Sequence, residues 1–140
     1  MGAISTYLNF PGNTEEAFNF YKSVLGGEFL NLQRFKDVPG NEQINVIDRD
    51  KLMHITLRTA KRDVLMAADV LESHGQMLTT GNNFSLSINA ESEAEAVSLL
   101  KGLSAGGQVT MPLEKTFWNA YFGMWTDKFG IQCMVNYDYK

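Results

Sequence analysis

The apolar and polar positions at the start of the chain follow two different periods. Residues 4–10 are mostly apolar and read as a strand, which Pro11-Gly12 ends. Asn13 and Glu16 have capping-box spacing. Ala17, Phe20, Tyr21, Val24 and Leu25 then recur at helical spacing and make one apolar face. Gly26-Gly27 closes this helix, and residues 28–35 resume as a strand. The same order returns later. Residues 84–90 read as a strand, and Ser92 with Glu95 as a capping box. Ala96, Val97, Leu100 and Leu103 form a helical face, Gly106-Gly107 a stop, and residues 108–113 a strand. The two Gly-Gly pairs lie 80 residues apart, so the pattern predicts an internal repeat.

Each half holds two more strands. Residues 53–59 and 63–69 flank a short turn in the first half, and residues 118–125 and 131–137 flank Asp127-Lys128-Phe129-Gly130 in the second. Each half is therefore β-α-β-β-β, and the class is α+β. Residues 39–50 read as a polar loop and residues 72–82 as a linker. The expected organisation is a single domain over residues 1–140, built of two modules at about 1–71 and 83–140.

Composition narrows the function classes. A chain of 140 residues buries about two-thirds of its unfolded surface, enough for a core without staples. Twelve basic residues stand against 16 acidic ones, and Lys61-Arg62 is the only adjacent basic pair, so no nucleic-acid partner is expected. No apolar run is long enough to span a membrane, and neither a secretory leader nor a lipidation motif is read at the ends. Cys133 stands alone, which excludes an intrachain disulfide and a thiolate zinc site and fits a cytoplasmic location.

Alternation then nominates candidates. His54, Thr56 and Arg58 share one face of their strand, and Met53, Ile55 and Leu57 the other. His54 is either a cavity-facing imidazole, aided by Arg58, or an edge histidine. Phe84, Leu86 and Ile88 alternate with Ser85, Ser87 and Asn89, whose polar face lines either a cavity or an open groove. Phe117, Trp118, Tyr121, Phe122 and Trp125 fall within nine residues. They read as core or dimer interface, with Trp118 the best pocket residue. His74 belongs to the linker, and Cys133 reads as a buried small hydrophobe. No Ser-His-Asp arrangement, phosphate loop or dinucleotide fingerprint is present.

The duplicated βαβββ unit resembles the vicinal oxygen chelate superfamily, which includes glyoxalase I, bleomycin-resistance proteins and extradiol dioxygenases. The segment from Asn13 through Glu16-Ala17-Phe18, Phe20-Tyr21 and Val24-Leu25-Gly26-Gly27 looks like that family's first helix. Phe117-Trp118, Phe122-Gly123 and Thr126-Asp127-Lys128-Phe129-Gly130 resemble its PhnB-like branch. The resemblance implies a concave, partly open eight-stranded mixed sheet with helices on the outer face, in a homodimer with two cavities.

Metal-dependent relatives draw His and Glu ligands from the first and last strands of each module. The comparison puts Thr6, Met66 and Met134 at those positions and finds no ligand type in residues 83–88, so neither metal nor cofactor is expected. For the first strand the comparison points Thr6 inward while alternation groups Ser5, Tyr7 and Asn9, and its facing stays open. The expected function is metal-independent binding, sequestration or metal-free conversion of a small organic molecule, with bleomycin-resistance proteins as the concrete model. His54, Thr56, Arg58, Met66, Ser85, Ser87, Trp118, Phe122 and Met134 are the binding candidates. The alternatives are a metal-dependent glyoxalase-like lyase or dioxygenase, and a protein-interaction module with a vestigial cavity.

Overall fold

The computed structural model describes residues 2–139. In chain order it contains β1 (Thr6–Phe10), α1 (Thr14–Leu25), β2 (Glu28–Arg34), β3 (Leu52–Arg58) and β4 (Val64–Asp69). There follow β5 (Leu86–Asn89), α2 (Glu93–Leu103), β6 (Gln108–Lys115), β7 (Ala120–Thr126) and β8 (Gln132–Asp138). The chain divides into two compact units, residues 1–79 and 80–140. Each unit is an open, mixed four-stranded sheet with one helix, in the order β1-β4-β3-β2 and β5-β8-β7-β6. In each, the first and last strands run parallel and the remaining pairs antiparallel. This is the repeated βαβββ order of the sequence.

In the first unit, alternation buries Leu8 and Phe10 of β1, Ile55 and Leu57 of β3 and Ala67 of β4. Ala17, Phe18 and Tyr21 of α1 are buried too, with the Phe10 and Phe18 rings edge to face at 6.3 Å. Phe18 falls outside the face read from helical spacing, yet it is fully buried. The loop from 35 to 50 is not plain coil. It holds three short 3-10 turns, Phe35–Asp37, Asn41–Gln43 and Val46–Asp48.

The predicted Asn13 cap is corrected. Asn13 makes no side-chain capping bond. The first turn of α1 is held instead by Asp69 at the end of β4. A carboxylate there meets the positive end of the helix dipole as well as the free N–H, which a neutral amide cannot match.

In the second unit, Ser92 Oγ accepts from the Glu95 N–H at 3.0 Å, and Glu95 Oε1 accepts from the Glu91 N–H at 2.9 Å. Ala96 and Leu103 of α2 are buried, but Val97 is 44% exposed, so the buried stripe is narrower than predicted. β5 also begins later than expected. Its pairing opens at Leu86 beside Cys133, which leaves Phe84 57% exposed and Ser85 outside the strand.

The repeat is clearest where each helix returns to its sheet. A Cβ on Gly27 would lie 1.9 Å from the Arg58 carbonyl oxygen, and one on Gly107 would lie 2.2 Å from that of Thr126. Both modules bring β2 or β6 against the following hairpin so closely that only glycine fits.

Candidate functional site

In the first unit, the side chains pointing away from α1 come from every strand. β3 sends His54, Thr56 and Arg58 there, because Ile55 and Leu57 are buried under the helix. β4 contributes Met66, the Cα partner of Thr56. β1 contributes Tyr7, the partner of Met66, and so settles the facing of that strand. Thr6 pairs with Leu65 and shares its parity with buried Leu8 and Phe10. Its expected place among the ligand positions is corrected. Strict alternation, grouping Ser5, Tyr7 and Asn9, was the better guide.

The Tyr7 phenol reaches over β4 to His54. Its oxygen lies 3.4 Å from Nδ1, and the rings are 5.8 Å apart at 44°. Nε2 of the same ring lies 2.8 Å from Thr56 Oγ1. Burial pushes the Tyr7 phenol above its ordinary value, so its proton stays on. His54 and Thr56 are therefore brought together, and Tyr7 joins them although it was not among the candidates. Arg58 follows on the same face, but its guanidinium donates to Glu28 of β2 and its charge is matched there.

In the second unit, Trp125, Cys133 and Val135 are buried beneath α2, so Phe122, Met124, Met134 and Asn136 point the other way. Met111, Met124, Met134 and Ser87 form one row across β6, β7, β8 and β5. Trp118 is 53% exposed, with its ring 6.1 Å from Phe122 and 4.9 Å from Phe117. Ser87 is thus paired with Met134 and Trp118 packs against Phe122, while Ser85 precedes the strand. Met111 and Met124 were missed. Their signal is the register across three strands, which no single segment shows.

Among the described residues, no group of three His, Cys, Asp or Glu side chains comes together to hold a metal. Tyr7 with Met66, and Ser87 with Met134, are paired positions facing away from the helices on the first and last strands. Their phenol, hydroxyl and thioethers are a poor donor set for a divalent ion that prefers imidazole and carboxylate. Cys133 offers no ready nucleophile. It is buried, and burial first, then the Asp127 charge, push its thiol up to about 12. An open hollow of about 420 Å³ lies at the ends of β5 and β8, lined by Asn89, Ala90, Glu91, Asn136, Tyr137 and Asp138. It includes none of the predicted binding residues. His74 is exposed in the turn Glu72–His74. Among the described residues, no helix is long and apolar enough to cross a membrane.

Known proteins are similar to this chain in sequence or in fold. Protein YjdN of Escherichia coli K12 is 30% identical over 141 residues, covering 95% of this chain and 93% of its own. Protein PA1353 of Pseudomonas aeruginosa superposes with a TM-score of 0.86 at 39% identity, covering 99% of this chain and 98% of that one. A PhnB protein of Bacillus cereus, described as a putative 3-demethylubiquinone-9 3-methyltransferase, gives 0.76 at 27% identity over 97% and 99%. The family model of the Glyoxalase/Bleomycin resistance protein/Dioxygenase superfamily matches residues 4–135, and the chain belongs to that superfamily.

Proposed function

We propose that this chain binds a small organic molecule on the sheet faces that point away from its helices, and that it does so without a bound metal. One observation carries the reading: on the first and last strands, from which metal-dependent members draw their ligands, the paired residues Tyr7 with Met66 and Ser87 with Met134 face away from the helices. Thioethers and a phenol make an adaptable, largely apolar floor. Histidine and hydroxyl groups beside them set orientation rather than coordinate an ion.

The concrete form of the proposal is sequestration in the manner of bleomycin-resistance proteins, by a homodimer. Arg58 is matched by Glu28 and Cys133 is buried, which leaves the surroundings better suited to holding a molecule than to attacking it. Elemental analysis after purification without chelators tests the metal half of the proposal. Far less than one equivalent of zinc, nickel, iron or manganese per chain is expected. One equivalent, released on unfolding, overturns it.

A further inference from the structure

We propose that Tyr7, His54 and Thr56 form a recognition site for an uncharged carbonyl compound, with Thr56 donating the hydrogen bond to its oxygen. The inference rests on the binding reading above and names the ligand class for the first unit.

The argument begins with reach. Tyr7 is on β1 and His54 on β3, with β4 between them, so the two backbones stand roughly 10 Å apart. The phenol spans that gap across β4, where Met66 is its own partner. The result is an ordered run of three polar groups beside the Met66 thioether.

Proton counting gives the run a direction. A neutral imidazole has one N–H and one lone pair, so one hydroxyl donates to the ring and the other accepts from it. The phenol is the more acidic of the two. Tyr7 therefore donates to Nδ1, and Nε2–H donates to Thr56 Oγ1 across the shorter, 2.8 Å contact. The Thr56 hydroxyl hydrogen then has no acceptor among the described residues. Thr56 is only half-exposed, so an oxygen supplied by a ligand meets a donor already held in place.

The surroundings choose among oxygen ligands. Arg58 is the next residue on this face, but its charge is bound to Glu28, so a carboxylate would find no free cation. Met66 and the Tyr7 ring favour an apolar or aromatic body. Asn31, the partner of Thr56 on β2, lies along the same row with a further amide donor. An uncharged ketone or aldehyde with such a body fits best.

The test uses three probes of similar size on nitrogen-15-labelled protein: acetophenone, ethylbenzene and benzoate. Nuclear magnetic resonance of the His54 ring nitrogens reads both the tautomer and binding. Free protein is expected to show the proton on Nε2. Acetophenone should shift both ring nitrogens and bind about fivefold more tightly than ethylbenzene, which lacks the oxygen, the factor expected of one hydrogen bond. Thr56→Val should lose that factor for acetophenone and leave ethylbenzene unchanged. Thr56→Ser should restore it, which separates the lost hydroxyl from any loss of fold. Benzoate binding more tightly than acetophenone overturns the uncharged class. Unchanged acetophenone affinity in Thr56→Val overturns the site, as does a response confined to residues 80–140 with the His54 ring unmoved. In those cases the broader binding proposal stands. No response to any probe at millimolar concentration overturns the carbonyl assignment, and a ligand screen read by Trp118 emission then decides the broader proposal separately.

Discussion

The Asp69 carboxylate accepts two hydrogen bonds from Thr14 through one oxygen, the backbone N–H at 3.0 Å and the hydroxyl at 2.6 Å. Its second oxygen accepts from the Leu52 N–H at 2.8 Å. One buried side chain thus fixes the start of α1, the start of β3 and the end of β4. Asp69→Ala leaves buried donors without partners, and each such donor typically costs 1–3 kcal/mol, so a loss of about 3 kcal/mol is expected. Urea unfolding followed by circular dichroism measures it. A loss under about 1 kcal/mol would show that water replaces the carboxylate freely.

A second buried carboxylate predicts a pH dependence. Asp48 is held below the ordinary value of 3.8, first by the hydrogen bond from Lys51 and then by that from Ser73. Its folded pKa is lowered, so its stabilising contribution is fully present above the unfolded value and is lost as pH falls through the folded one. Lys51→Met should reduce the stability lost between pH 5 and strongly acid solution. Melting temperature against pH decides this. Parallel acid limbs in the variant and the parent protein would assign the acid sensitivity to other carboxylates.

The two hairpins that close the modules share one geometry but not one sequence. In the first, Thr59 N–H bonds the Asp63 carbonyl and Arg62 N–H that of Thr59. In the second, Asp127 bonds Ile131 and Gly130 bonds Asp127 in the same way. The corresponding positions have φ of 73° at Arg62 and 89° at Gly130. Arginine is strained there, by roughly 1–2 kcal/mol, partly offset by the greater unfolded-state freedom of glycine. Arg62→Gly should therefore stabilise the protein by about 0.5–1 kcal/mol in denaturant titration. A destabilised variant would mean that the arginine side chain contributes more than its backbone strain removes.

The strands, helices and their duplication were legible because each rests on local signals: period, caps and Gly-Gly stops. His54, Thr56 and Arg58 were placed on one face by alternation alone, and the structure keeps them there. What escaped depends on partners distant in sequence. Asp69 displaced the Asn13 cap from 55 residues away along the chain. Tyr7 joined His54 across an intervening strand, and Met111 joined Met124 and Met134 only through register. The facing of the first strand stayed open because a family position pointed Thr6 inward while alternation grouped Ser5, Tyr7 and Asn9, and only the pairing with β4 decides it.

Exposed apolar side chains predict association. Phe117 is 97% exposed while stacked edge-on against Trp118. An aromatic pair held in that way favours a protein contact over solvent. Light scattering at micromolar concentration should give twice the 15.7 kDa chain mass, and Phe117→Ser should shift the balance toward monomer. A single species at the chain mass across that range removes the homodimer from the proposal.

Trp118 should prove the strongest single anchor in the second unit. Its ring is half-exposed and steadied by Phe117 and by Phe122, which shares its sheet face with Met134 and Ser87. An apolar ligand body stacked there gains both aromatic contact and buried area. Truncating such an anchor typically costs on the order of 2 kcal/mol, roughly thirtyfold in affinity. The fold should survive Trp118→Ala, because the residue lies between strands and the core tryptophan is Trp125, which is fully buried. That division also supplies the measurement. Trp125 emits as a nearly constant background, so a ligand found by thermal-shift screening should quench or shift only the Trp118 component. The variant should lose both the optical response and most of the affinity. Calorimetry provides the decisive comparison, since it does not depend on the reporter. If Trp118→Ala binds the ligand as tightly as the parent protein, the aromatic cluster serves packing between chains, and the ligand is held elsewhere.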